Sequence, residues 1–106
     1  MIVEYIRYRI TDSRRTAFEE AYRRAAAPLS RAVQCVDYEL ARCAEDPSAY
    51  VLRIRWTSAE DHLKGFRGGP EFGAFFAEIR PYVESIEEMR HYELTGIEGE
   101  GAGGAG

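Results

Sequence analysis

Only two cysteines, Cys35 and Cys43, occur in the 106 residues, too few for a disulfide framework. At the two ends of one extended segment they would stand about 26 Å apart at ~3.3 Å per residue, beyond bridging distance. No Cys/His spacing has the form of a zinc site. Long apolar runs are also missing. No stretch free of Asp, Glu, Lys and Arg exceeds six residues, against the roughly 20 needed to span a bilayer. The N-terminus shows no charged segment followed by an apolar run and a small-residue cleavage site, so the expectation is a cytoplasmic protein with no membrane partner. Basic excess is absent as well. There are 14 Lys and Arg against 18 Asp and Glu, a net charge of −4, which argues against nucleic acid as a partner. Glu98 and Glu100 lie in the last segment, leaving 16 acids against 14 bases in the body of the chain.

What is present is enough hydrophobic residue, 45%, to build one core in a chain of one-domain length. Met1 to Ile10 alternates, with Ile2, Ile6, Tyr8 and Ile10 on one parity and Val3, Tyr5, Arg7 and Arg9 on the other, which reads as a strand. Thr11, Asp12 and Ser13 supply capping residues. Phe18, Ala21, Tyr22, Ala25 and Leu29 then recur with helical spacing, and Pro28 is expected to end or kink that helix. Cys35–Cys43 and Tyr50–Trp56 read as a hairpin in which Val36, Tyr38 and Leu40 alternate in the first arm and Tyr50, Leu52, Ile54 and Trp56 in the second. Glu45-Asp46-Pro47-Ser48 forms the turn. Ser58 caps a short helix that Gly65, Gly68 and Gly69 interrupt. Pro70 opens a second helix carrying Phe72, Phe75, Phe76, Ile79 and Val83, and Pro81 closes it. Glu88–Leu94 reads as the last strand. Residues 1–95 form the domain; 96–106, with six glycines in eleven residues, read as a flexible tail or a cloning remnant.

The order β-α-β-β-α-β with right-handed crossovers gives an α+β, ferredoxin-like domain: a four-stranded antiparallel sheet with both helices on one face. The other face is left open, and dimerisation is the usual way to bury it.

The segments CVDYEL, EDPSAYVLRIRW, PEFGAFFAEIRPYV and EEMRHYEL resemble the antibiotic biosynthesis monooxygenase (ABM) family of dimeric α+β barrels, over about residues 1 to 95. The resemblance implies a homodimer and, as activity, cofactor-independent oxidation of a small aromatic phenol or quinol by O2, with no metal or cofactor. Relatives also include haem-degrading enzymes, which pair a first-strand Asn with a helical His. Here MIVEYIRYRI contains no Asn, and Gly65 stands nine residues after Trp56 where that His most often falls. The alternatives to an oxygenase are a non-catalytic dimeric domain binding an aromatic metabolite or haem, and a dimerisation module with no ligand. A cavity above ~300 Å³ between sheet and helices would favour ligand use.

Deprotonating a phenol so that its anion can reduce O2 takes a base, donors for the phenolate and a water-poor pocket. His62 is a candidate base because imidazole titrates near neutrality; its other reading is an exposed helix-surface histidine. Glu4 shares the parity of Ile2, Ile6 and Tyr8, so it is a second candidate, with burial raising its pKa. The antiparallel first and third strands bring it towards Trp56; its other reading is a frayed, solvated strand start. Trp56, Phe66, Phe72 and Phe76 are candidate substrate-binding residues, with Phe75 beside them, although such stripes equally form plain core. Tyr22 and Tyr38 offer phenolic donors. His91 reads as part of a polar ladder. Arg7, Arg9, Arg53 and Arg55 share the open face, where Asp37, Glu39 and Glu93 are expected to pair with them.

Overall fold

A computed structural model describes residues 1–105. The alternating N-terminal segment forms β1 (Ile2–Arg9). The helix that follows, α1 (Arg15–Arg31), begins after a 3₁₀ turn at Asp12–Arg14, and Thr11 makes no side-chain cap there. Pro28 does not end α1, which runs one further turn to Arg31. Phe18, Ala21, Tyr22, Ala25, Pro28 and Leu29 are all buried, and packing of this continuous face outweighs the single backbone bond that proline removes.

The hairpin forms as expected from β2 (Cys35–Arg42) and β3 (Ala49–Trp56), closed by the Asp46 carboxylate accepting from the Ser48 amide and hydroxyl. A bulge between Cys35 and Asp37 leaves Val36 exposed rather than in line with Tyr38. A π-helical turn at Asp61–Phe66 precedes α2 (Pro70–Ile79). The Ser58 hydroxyl caps that turn by accepting from the Asp61 amide at 2.9 Å. Beyond α2, a 3₁₀ segment containing Pro81 leads into β4, which spans Ile86–Glu93 and so starts two residues before the expected Glu88.

The strands pair antiparallel in the order β2-β3-β1-β4, and α1 and α2 lie on one face, which is the ferredoxin-like arrangement. Beneath the helices Phe18 is wholly buried, its ring centroid 4.9–5.2 Å from those of Tyr8, Tyr22, Tyr50 and Tyr82. Such edge-on packing adds to the burial of aromatic area. Among the described residues no helix is long and apolar enough to cross a membrane.

On the open face Arg53 pairs with Asp37 and Glu39, and Arg55 with Asp37. Arg7 and Arg9 find Glu87, Glu88 and Asp46. Glu93 is not among the partners: it lies opposite Ile2, on the helix face. The reason is register. Met89, His91 and Glu93 oppose the buried parity of β1, and a shift between Arg7 and Tyr8 brings Glu87 alongside the arginines.

The glycines between the π turn and α2 act through close approach. A Cβ on Gly69 would stand 2.5 Å from the Gly65 carbonyl oxygen, a backbone atom that cannot step aside. Gly69→Ala is expected to destabilise the fold by about 1–3 kcal/mol. Gly73→Ala, with nothing within 4 Å of the new methyl, is expected to stabilise it by up to ~1 kcal/mol through helix propensity. Urea denaturation of the two variants checks both signs.

Candidate active site

The register Ile2↔Trp56 and Glu4↔Ile54 on one side of β1, and Glu4↔His91 on the other, fixes three side chains on the helix face at one end of the sheet. Glu4 is 2% exposed, so the solvated reading fails. The indole N–H of Trp56 donates to Glu4 Oε1 at 3.2 Å. The other oxygen, Oε2, lies 3.2 Å from His91 Nε2 and 3.5 Å from His62 Nε2.

His62 reaches this group from the π turn. The extra residue per turn, marked by the Arg67 amide bonding to the His62 carbonyl, directs both His62 and Phe66 inward, and π-bulges are frequent at functional sites. His62 is 3% exposed, which overturns the surface-histidine reading. Its ring lies against Trp56, with centroids 4.5 Å apart, and 5.0 Å from that of His91. Neither of its ring nitrogens has a hydrogen-bond partner. Together, Glu4, His62 and His91 offer three donor atoms within 4.8 Å of one another.

Burial governs the charge states here. Desolvation raises the Glu4 pKa above the ordinary carboxylate value, against opposing contributions from His91, Trp56 and Arg67. The same desolvation, reinforced by the positive charges of Arg67 and His91, brings His62 down to about 4, so its imidazole is neutral at pH 7. Tyr8, pushed up to about 12 by burial, and Tyr22, raised well above its ordinary value, stay protonated; their hydroxyls bond to each other at 2.5 Å.

Glu4 and His62 border a cavity of about 220 Å³ enclosed by Trp56, Phe66, Phe72 and Phe76 together with Arg67 and Met89. The four aromatic candidates are thus brought together around one space. That space does not reach the ~300 Å³ expected to favour ligand use, the lower end of drug-sized pockets, yet it is larger than the ~150 Å³ cavity that holds benzene in an engineered protein. It suits one small ring system. Tyr38 is not part of it, since its hydroxyl is engaged by Ser30 Oγ and the Ala26 carbonyl. Tyr22 stands behind Tyr8. Larger surface depressions near Arg23 and Arg42, about 450 and 400 Å³, are bordered by charges already paired with each other, as in Arg42–Glu19 and Arg15–Asp12. Three contributors escaped the sequence reading. His91 was assigned to a polar ladder, and nothing in the pattern marked Arg67 or Met89.

The sequence model for antibiotic biosynthesis monooxygenase matches residues 1–78. The chain belongs to the antibiotic biosynthesis monooxygenase family. Similarity to individual relatives is lower but runs almost end to end. The chain is 28% identical over 93 residues to the Bacillus subtilis protein YczJ, itself uncharacterized, covering 88% of this chain and 98% of that one. A crystal structure of a candidate family member from Chloroflexus aurantiacus superposes with a TM-score of 0.72 at 25% identity, covering 94% and 98% of the two chains. SnoaB from Streptomyces nogalater, a cofactor-independent oxygenase crystallised as a point mutant, shares the fold with a TM-score of 0.74 at 19% identity, over 93% and 97%. These ABM structures share the βαββαβ sheet with both helices on one face.

Proposed function

We propose that this ABM protein is a cofactor-independent monooxygenase that oxidises a small aromatic phenol or quinol with O2, working as a homodimer paired across its open sheet face. The observation that carries the reading is a carboxylate, Glu4, buried at the wall of an aromatic cavity with its pKa raised. A raised pKa makes it a better match for a phenolic proton than an ordinary carboxylate. The substrate ring lies between Trp56, Phe66, Phe72 and Phe76, and its hydroxyl points to Glu4.

Glu4 takes the phenolic proton, and the phenolate passes one electron to O2. The resulting radical and superoxide combine at a ring carbon to form a C–O bond. The peroxide receives the proton back from Glu4; the O–O bond and the ring C–H bond at that carbon then break, the departing hydroxide takes the ring proton and leaves as water, and the carbon keeps its oxygen as the quinone carbonyl. One oxygen atom of O2 stays on the product and the other leaves as water. Throughout, His91 and Trp56 hold the two carboxylate oxygens in place. Neutral His62, which borders the cavity and whose ring nitrogens make no hydrogen bond among the described residues, offers an N–H to the negative oxygen, and Arg67, which borders the same cavity, adds positive charge. In the homodimer the exposed Tyr5 and Tyr92, packed edge-on at 5.5 Å, supply apolar area on the face that pairs, while its arginines arrive already paired with acids.

Oxygen uptake tests this directly. Chelator-treated protein is assayed against quinols, anthrones and dihydroxynaphthalenes. The expected result is uptake above the autoxidation blank for at least one member, with one atom of labelled O2 in the product. No uptake across the panel overturns the oxygenase in favour of a binding domain.

A further inference from the structure

We propose that Glu4, His62 and His91 also form a binding site for one divalent transition-metal ion of the zinc, cobalt(II) or iron(II) kind. The three donors come from β1, the π turn and β4, so no sequence spacing announces them. Glu4 Oε2 already stands 3.2 and 3.5 Å from the two imidazole Nε2 atoms. Two ligands bound to one ion at ~2.0–2.2 Å sit about 3.0–3.5 Å apart at octahedral or tetrahedral angles. The carboxylate therefore needs no rearrangement to share an ion with either histidine.

A second observation points to a ligand independently. His62 is 3% exposed, and among the described residues neither of its ring nitrogens makes a hydrogen bond. Buried polar atoms are rarely left so, and an ion on Nε2 gives that nitrogen its partner. Trp56 meanwhile donates to the far carboxylate oxygen at 3.2 Å, the kind of outer bond that orients a metal-binding carboxylate.

The donor set selects the ion. Two imidazoles and one carboxylate suit zinc and its first-row neighbours, whereas calcium and magnesium call for oxygen donors. With three protein ligands, coordination positions remain open, and Glu4 and His62 border the aromatic cavity, so those positions face water or a ligand oxygen there. Arg67 borders the same cavity, and its positive charge keeps the affinity moderate. An ion on Oε2 occupies the atom that would take the phenolic proton, so metal and base function exclude each other. This antagonism rests on the proposed oxygenase; the site itself does not.

Chelator-treated protein is titrated with cobalt(II) alone, following its visible d–d absorption. The expected result is one ion per chain with the intense bands of a four- or five-coordinate centre. His91→Gln, at a partly exposed strand position, is expected to weaken binding by more than 100-fold. Trp56→Phe, which removes the outer bond and part of the ring packed on His62, is expected to cost ~10–100-fold, with circular dichroism reporting that both variants fold. A spectrum that stays that of the hydrated ion overturns the site, and so does binding that survives His91→Gln. Zinc(II) added to the oxygen-uptake assay is expected to abolish turnover. Turnover that persists with zinc bound overturns the antagonism alone, and an absence of oxygenase activity leaves the cobalt spectrum to decide the site.

Discussion

Glutamine at position 4 is expected to lower oxygen uptake by about 10²–10⁴-fold, the usual contribution of a positioned general base, without unfolding the chain. The amide is nearly isosteric with the carboxylate, and its oxygen can still accept from the Trp56 indole. What it cannot do is take a proton. The stability change has the opposite sign to that of a damaged core. The pKa of Glu4 is raised in the folded state, so the folded chain binds more protons than the unfolded one above the ordinary carboxylate range. The stability this contributes is present below the unfolded value of 4.5 and is lost as pH rises through the folded value. At pH values above the folded pKa the wild type carries an ionised buried carboxylate, and Glu4→Gln relieves that penalty, so there its melting temperature is expected to equal or exceed the wild type's. Wild-type turnover is expected to rise with pH through an apparent pKa above 4.5, and the residual activity of the variant to lack that limb. Uptake that falls only in proportion to lost folded protein, or a wild-type profile flat from pH 5 to 9, would remove Glu4 from the chemistry.

Most of the fold was legible because its strands and helices carry clean periodicity. The parity of β1 put Glu4 on the helix face, and the antiparallel placement of β1 beside β3 brought it to Trp56. The site's second half was hidden for specific reasons. In β4, Glu88, Arg90 and Tyr92 alternate with Met89, His91 and Glu93, so neither parity is apolar and only pairing with β1 decides which faces the core. Glu93 was expected on the open face, and His91, which shares its parity, was expected only in a polar ladder. His62 was hidden by helix type. Ordinary helical spacing does not say whether a residue in a short, glycine-interrupted segment faces inward, and the π turn that buries it follows from Gly65 and Gly69 packing closely against Gln34 and the backbone. Pro28 shows the converse, a strong local signal overruled by the packed face of α1. A buried Glu-His-His group is a tertiary fact, made by register and one irregular turn.

That buried group also sets an acid limit on stability. His62→Phe is expected to flatten the loss of stability between pH 6.5 and about 4, by roughly 3 kcal/mol across the window. Folded His62 titrates near 4 against a reference of 6.5, so between these values the unfolded chain holds a proton that the folded chain excludes. Falling pH therefore favours unfolding. Phenylalanine fills a similar flat volume between Trp56 and His91, carries no proton, and removes two unpartnered nitrogens. Glu4, with its pKa raised, contributes with the opposite sign, since protonating it favours the folded state, so the wild-type curve alone mixes the two. The difference between wild type and variant isolates the imidazole. Denaturant midpoints at a series of pH values, in chelator so that no metal ion stabilises the wild type, give that difference. Curves that run parallel from pH 7 to pH 4 would mean that His62 accepts its proton in the folded state, which requires water or an acceptor at a ring nitrogen and a cavity wetter than the one described.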